Sequence, residues 1–272
     1  MEENREKLIQ YAYNILGSYE DAKDVAQETM RKFLVMDTSH VQDSSNYLIK
    51  MAINEAINLQ KKQKRTVKYG TWLPEPIVTS VETSSIEKEY VINYSLLVLF
   101  EKLNARERAV FVLKEVFDYD HKHISELLEI NEANSRQLLT RAKKKIQSQP
   151  LNKTPSAKIA LLEPYMNAIK NGDIQTLEKL LAHDVEVHAD GGDKIQVVVA
   201  QLKGRNEVIP LMIKIFNAFQ KKQTFQFSSI NKQPAILYYE DDKLVNCQVF
   251  SIENGQITQI FSVLNPNKIE RI

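Results

Sequence analysis

Two breaks in helical periodicity set what this chain can fold into. Between residues 66 and 85, Gly70, Pro74, Pro76 and a Thr- and Ser-rich run exclude a continuous helix, and Pro150 and Pro155 do so again between Gln149 and Ser156. Before the second break apolar residues recur at helical spacing. Beyond Val185 they gather in short β-rich runs. The 272 residues predict about two domains on the usual size relation, and 43% apolar content lets each half bury a core of its own. Seven Gly and eight Pro argue against collagen-like or low-complexity structure, and no internal repeat is present.

The N-terminal third reads as three helices. Apolar spacing predicts helices over residues 5–16 and 18–35, with Ser18 and Asp21 as N-cap and first-turn acid of the second. In that helix Ala22, Val25, Ala26, Met30 and Phe33 form one stripe, which leaves Asp24, Gln27, Glu28 and Arg31 outside. The third helix carries Tyr47, Leu48, Met51, Ala52, Ile53 and Ile57. It runs into a basic cluster of Lys61, Lys62, Lys64, Arg65 and Lys68.

A net charge of +1 gives no global argument for nucleic-acid binding, so the distribution carries it. A second acid-free basic stretch follows Glu132, with Arg136, Arg141, Lys143, Lys144 and Lys145. Either cluster alone reads as a solvated face or as cations placed at a helix C-terminus. Asn104 and Glu107 predict a capping box for a helix from Ala105 to Phe117. A short helix Lys122–Leu128, a turn at Glu129–Asn131 and a longer helix Glu132–Ile146 complete a helix-turn-helix pattern. Its second helix leaves Asn134, Arg136, Gln137, Arg141 and Lys144 exposed, residue types that can grip guanine and adenine edges in the major groove.

Beyond the second break the spacing predicts helices near 159–171, 173–182 and 205–220. Strands are expected at 185–189, 196–202, 225–230, 235–239, 243–252 and 256–264. Asn254-Gly255 supplies the last hairpin, and Gly191-Gly192 reads as another turn. Helices packed on one curved antiparallel sheet give an α+β cone. Trp72, the chain's one tryptophan, sits in the first linker within Trp72-Leu73-Pro74-Glu75-Pro76, where a passive tether would be polar. It reads as a docking residue.

The segments YNILGSYEDAKDVAQETMRKFL and NYLIKMAINEAINLQKKQKR resemble region two of extracytoplasmic-function sigma factors. The later segment, LNARERAVFVLKEVFDYDHKHISELLEINEANSRQLLTRAKKKI, resembles their region four. WLPEP, DGGDK at Asp190–Lys194 and NPNKI at Asn265–Ile269 resemble the subgroup with a fused SnoaL-like, nuclear-transport-factor-like domain. The resemblance implies a multidomain fold of two all-α sigma domains followed by the α+β cone. Its boundaries would be region two at 1–68, a linker at 69–85, region four at 86–149, a linker at 150–157 and the cone at 158–272.

It also implies roles. Asp24, Gln27, Glu28 and Arg31 match the surface that docks on core RNA polymerase. Asn54 matches the position beside the pocket for an extruded base of the −10 element, with Asn58, Lys61, Lys62, Lys64 and Arg65 holding the backbone. Asn134, Arg136, Gln137 and Arg141 match the −35 reader, with Lys143 and Lys144 on phosphates. Trp72, Leu73, Pro74, Glu75, Pro76, Asp190, Gly191, Gly192, Lys194, Asn265 and Pro266 would form a regulatory docking surface between the cone and the sigma domains. The sequence departs from the pattern at Glu129 and Asp193, where Gly is usual, and at Asn267 and Ile269, where Asp and Leu are.

The expected partners are core RNA polymerase and promoter DNA, with no membrane and no cofactor, and a small ligand in the cone pocket is left open. No apolar run approaches the roughly 20 residues of a membrane span. An N-terminus of Met1-Glu2-Glu3 without a basic-then-apolar segment argues against a signal peptide. The single Cys247 excludes an intrachain disulfide and a Cys-based zinc cluster, which suits the cytoplasm. Two alternatives compete with this reading. One is a catalytic cone using Asp184, Asp190, His183 or His188, for which the spacing supplies no base, orienter and oxyanion set. The other is a helix-turn-helix regulator that acts without polymerase.

Overall fold

The computed structural model describes residues 2–39, 41–63, 68–79, 90–146, 156–270 and 272. Its contacts divide them into two compact units. Unit 1 holds the described residues of 1–64, 84–92 and 96–151. Unit 2 holds those of 65–83, 93–95 and 152–272.

Unit 1 begins with a bundle of α1 (Glu2–Leu16), α2 (Tyr19–Val35) and α3 (Ser44–Lys62). Ser18 caps α2 by accepting the Asp21 N–H at 3.2 Å, and Asp43 caps α3 by accepting that of Asn46 at 3.0 Å. Leu8, Ala12 and Ile15 of α1, Ala22, Val25 and Ala26 of α2, and Leu48, Ala52, Ile53 and Ala56 of α3 are buried together. Short side chains at Ala12, Ala22, Ala26, Ala52 and Ala56 let the backbones approach closely.

After α4 (Tyr94–Leu99) and a 3-10 turn, α5 (Ala105–Phe111) starts at the expected capping box. Asn104 Oδ1 accepts the Glu107 N–H at 2.9 Å, and Glu107 Oε2 accepts the Asn104 N–H at 3.0 Å. The expected helix to Phe117 is interrupted. Val112–Val116 form a π turn in which Phe117 N–H reaches the Val112 carbonyl. That wider turn brings Phe117 onto the Tyr11 ring at 3.9 Å and the Tyr90 ring at 5.0 Å, while Tyr119 meets Tyr11 through their hydroxyls at 2.7 Å. Arg108, fully buried, donates to the Asn14 carbonyl at 3.1 Å and to Glu101 at 2.7 Å. The bundle and the second helical group therefore share one core. The helix-turn-helix follows as α6 (His121–Leu128) and α7 (Glu132–Ile146).

Unit 2 packs α8 (Leu162–Asn171), α9 (Ile174–Leu180) and α10 (Arg205–Ala218) on a sheet, with a short α11 (Pro266–Ile269) at its end. The strands are β1 (Tyr69–Gly70), β2 (Leu181–Gly192), β3 (Gln201–Lys203), β4 (Thr224–Ile230), β5 (Gln233–Glu240), β6 (Lys243–Glu253) and β7 (Gln256–Val263). Their order is β1-β2-β7-β6-β5-β4, with β3 also on β2, and β2 runs parallel to β7. Tyr165, Met166, Ile169, Val187, Phe216, Tyr238 and Phe250 fill the space between helices and sheet. Asn254 and Gly255 both take positive φ, 49° and 78°, as the tight β6–β7 turn requires.

Two sequence expectations are corrected here. The strand expected at 196–202 is confined to Gln201–Lys203, and Gly191-Gly192 end β2 rather than forming a turn of their own. Both follow from one event: β1, from the first linker, pairs with β2 at Gly70↔Asp190 and Tyr69↔Gly192 and occupies the edge that a longer β3 would need.

Candidate nucleic-acid interface

On α7, residues 134, 137, 141 and 144 recur three or four apart and so share one face. Gln137, Arg141 and Lys144 are exposed there, and Asn134 is half-buried. The opposite face buries Ser135, Leu138, Ala142 and Ile146. Arg136 stands beside the polar face, exposed, held by Glu132 one turn back at 2.6 Å. Lys143 is drawn aside to Glu115 at 2.7 Å. Asn131 accepts the Asn134 N–H at 2.8 Å at the start of α7. His121 meets the buried Ser135 hydroxyl at 2.9 Å. Burial, with the Arg136 and Lys114 charges adding, holds its imidazole below the usual range.

The α6–α7 turn passes through Glu129 at φ 52°, ψ 50°, a left-handed conformation that costs a non-glycine residue about 1 kcal/mol. Its carboxylate reaches Lys50 Nζ at 2.9 Å, which holds the Glu129 carboxyl below its ordinary range. Asn54 lies one turn beyond Lys50 on α3 and donates to the Leu127 carbonyl at 3.3 Å. Together they border a cavity of about 340 Å³ that Tyr47, Met51 and Asn58 also line. Lys61 and Lys62 are exposed on the last turn of α3. Lys64 and Arg65 lie outside the described residues. Sequence reasoning missed Lys50, because nothing local marks the partner it finds in a later helix pair.

The outer face of α2 presents Asp24, Gln27 and Arg31 to solvent. Arg31 grips Glu28 through two hydrogen bonds at 2.7 and 2.8 Å, and these draw the carboxyl down to about 2. Lys32 joins Glu28 to Glu55 of α3.

In unit 2 the linker motif is built into the cone. Leu73, Pro74, Glu75 and Pro76 are buried and Trp72 is half-buried. Asp190, fully buried, accepts the Leu73 N–H at 2.9 Å on one oxygen and the Gly192 N–H at 2.8 Å on the other. Lys268 adds its ammonium to Asp190 at 2.7 Å, donates to the Leu73 carbonyl, and lies 4.2 Å from the Trp72 ring centroid. Gly192 at φ 62° leaves room for Asn265, which a Cβ would meet at 2.6 Å. Asn265 N–H in turn bonds the Asp190 carbonyl at 3.0 Å, and Asn265 caps α11 with Pro266 at its first turn. Lys194 reaches Asn267 at 3.5 Å, a marginal contact. Asp193, where the subgroup usually has Gly, accepts the Lys68 N–H at 3.0 Å. Further along, Ile77 and the buried Asn231 exchange two hydrogen bonds, and Tyr94 donates to the Pro74 carbonyl at 2.6 Å. The structure thus brings Trp72, Asp190, Gly192, Asn265 and Lys268 into one cluster.

The four residues of the catalytic alternative do not converge. His183 and Asp184 are exposed on β2, His188 is buried against Phe261 and Glu186, and both Asp190 oxygens are engaged as above. Among the described residues no group of His, Cys, Asp and Glu could hold a metal ion, and no helix is long and apolar enough to cross a membrane.

Comparison with known proteins bears on what this arrangement serves. Residues 1–66 match the Sigma-70 region 2 family and residues 94–146 the Sigma-70, region 4 family. The chain is 27% identical over 224 residues to the ECF RNA polymerase sigma factor SigJ of Mycobacterium tuberculosis, covering 79% of this chain and 72% of the relative. It is 24% identical over 275 residues to the probable ECF RNA polymerase sigma factor SigI of the same species, covering 98% and 92%. The crystal structure of M. tuberculosis SigJ superposes with a TM-score of 0.80 at 22% identity, over 99% of this chain and 96% of that one, and so shares its fold. With both sigma-70 regions in order and an α+β cone after them, the chain carries regions 2 and 4 of the sigma-70 family and is similar along most of its length to RNA polymerase sigma factors of the extracytoplasmic-function type.

Proposed function

We propose that this sigma factor reads the −35 element with α7, receives an extruded −10 base in the α3 cavity, docks on polymerase through α2, and is set by its own cone. Core RNA polymerase and promoter DNA are its partners, and it acts as an initiation factor rather than an enzyme. The polar face of α7 supports the first step. Arg141 and Arg136 can each pair with guanine in the major groove and Gln137 with adenine, while Lys144 neutralises a phosphate. For the second step, Tyr47 offers a ring for stacking and Asn54 an amide for a base edge, beside the cation Lys50, with Lys61 and Lys62 exposed further along on the last turn of α3. Asp24, Gln27, Glu28 and Arg31 form the exposed polar surface proposed for polymerase. The cytoplasm is its proposed place of action.

The observation that carries the regulatory reading is the burial of the linker motif around Asp190. A free connection from Gln63 to Tyr90 would reach roughly 90 Å when extended. With residues 68–79 fixed to the cone, that reach is cut into shorter pieces, and the cone limits how far the two sigma regions spread. Regulation then needs contacts that differ between the anchored and released states, and the cluster of Asp190, Lys268 and Trp72 supplies them. Transcription in vitro with bacterial core polymerase over a pool of promoter sequences tests the whole reading. Initiation from a defined subset of promoters is expected, and duplex binding without initiation would instead favour the stand-alone regulator.

A further inference from the structure

We propose that the α6–α7 turn is an autoinhibitory plug for the α3 cavity, with Glu129 holding the place beside Lys50 that a phosphate of single-stranded DNA would take. The proposal rests on reading that cavity as a DNA site. Apart from Glu129, every described residue that lines the cavity comes from α2 or α3, so among the described residues the turn is its one foreign wall. Tyr47 and Met51 give it apolar surface, and Lys50 and Asn54, four apart on α3, put a cation and an amide on one face.

Both of those polar groups are already engaged by the turn. The Asn54 amide donates to the carbonyl of Leu127, the penultimate residue of α6, one of the helix-end acceptors that lacks an intrahelical partner. Lys50 pairs with Glu129, whose carboxylate is anionic like a phosphate and sits 2.9 Å from the ammonium. The left-handed backbone at Glu129 directs the side chain there despite its conformational cost. A base in the cavity and its phosphate on Lys50 therefore exclude the turn, and the turn excludes them. DNA entry then requires α6 to withdraw, and by linkage a ligand that favours the withdrawn state raises DNA affinity by the factor by which DNA raises that ligand's.

The test uses the full chain and a fluorescent pool of short single-stranded DNA of random sequence at low salt. Glu129→Gln keeps the shape and removes the charge, and Glu129→Gly removes the side chain altogether. Glu178→Gln makes the same charge change on the exposed surface of α9 and serves as control. Both Glu129 variants are expected to bind about two- to fivefold tighter than the unmodified chain, the range of an exposed ion pair. Glu178→Gln should gain nothing. Lys50→Met should bind more weakly. Hydrogen exchange in α6 should quicken in Glu129→Gln, and in the unmodified chain when DNA is added. If Lys50→Met loses binding while the Glu129 variants gain no more than Glu178→Gln, the cavity binds DNA but the turn does not obstruct it, and the proposal is overturned. If neither Lys50→Met nor the Glu129 variants alter binding, the cavity is not the DNA site and the underlying reading fails with it.

Discussion

Lys268 and Asp190 form an ion pair at 2.7 Å, with the Asp190 side chain fully buried and the Lys268 side chain 13% exposed. The same carboxylate holds the Leu73 N–H, 117 residues upstream, so one side chain joins the linker motif, the end of β2 and the α11 segment. Removing one partner of a buried pair leaves the other uncompensated. Asp190→Ala is expected to cost unit 2 about 3 kcal/mol, since it also strands two backbone N–H groups. Lys268→Met should cost less, because those two donors stay on Asp190. Denaturant unfolding followed by Trp72 fluorescence measures both.

Gly70 is the point at which the linker enters the sheet. It takes φ 102°, and a Cβ there would stand 2.1 Å from the Ala189 carbonyl oxygen. Gly70→Ala should release β1 from β2 without touching the core between helices and sheet. The expected sign is faster hydrogen exchange at Thr71, whose N–H bonds the Ala189 carbonyl at 2.8 Å, with unchanged protection in β5 and β6.

On α7 the two kinds of contact separate by experiment. Arg141→Ala should cost about 1–3 kcal/mol of discrimination at one −35 position and relax the preference there. Lys144→Ala should weaken binding evenly across sequences and lower the salt slope by about one. Binding of polymerase holoenzyme to a −35 variant library at two salt concentrations distinguishes them.

Arg108 is a buried cation of unit 1, on the Asn14 carbonyl and Glu101 with Phe100 beside it. Arg108→Ala removes packing as well as both bonds, and should destabilise unit 1 by about 3–5 kcal/mol. Loss of helical circular dichroism at a lower denaturant concentration is the measurement.

His121 gives unit 1 a pH dependence. Its folded pKa lies below the ordinary 6.5, so the unfolded chain takes up the proton first as pH falls. The stability it contributes is intact above about pH 6.5 and declines as pH drops through that value toward the folded pKa. His121→Gln should flatten this part of the thermal-stability profile between roughly pH 7 and 5, leaving the carboxylate-dependent loss at lower pH.

Local chemistry made much of this legible in the sequence. Ser18, the Asn104 and Glu107 box and Asn254-Gly255 each act within a few residues, and the structure places all three as their chemistry predicts. The apolar rows of α2 and α7 likewise mark the buried face and, by exclusion, the polar one. What stayed hidden depends on distant partners. A strand as short as Tyr69–Gly70 has no period to detect, and its pairing with β2 shortened β3 and moved the turn from Gly191-Gly192 to the residues that follow. Lys68 and Asp193 meet across 125 residues, and nothing near either announces the other. The interruption of α5 at Val112 pairs with aromatic contacts to Tyr11, again a tertiary gain overriding a helical pattern.

The central claim is a sigma factor governed by its own cone, and the most direct measurement is promoter-dependent transcription by bacterial core polymerase with the intact chain and with Asp190→Ala. The account predicts initiation from a limited set of promoters by the intact chain, raised severalfold when the loss of Asp190 frees the linker motif. No initiation above core polymerase alone, or equal initiation by both proteins, would contradict it.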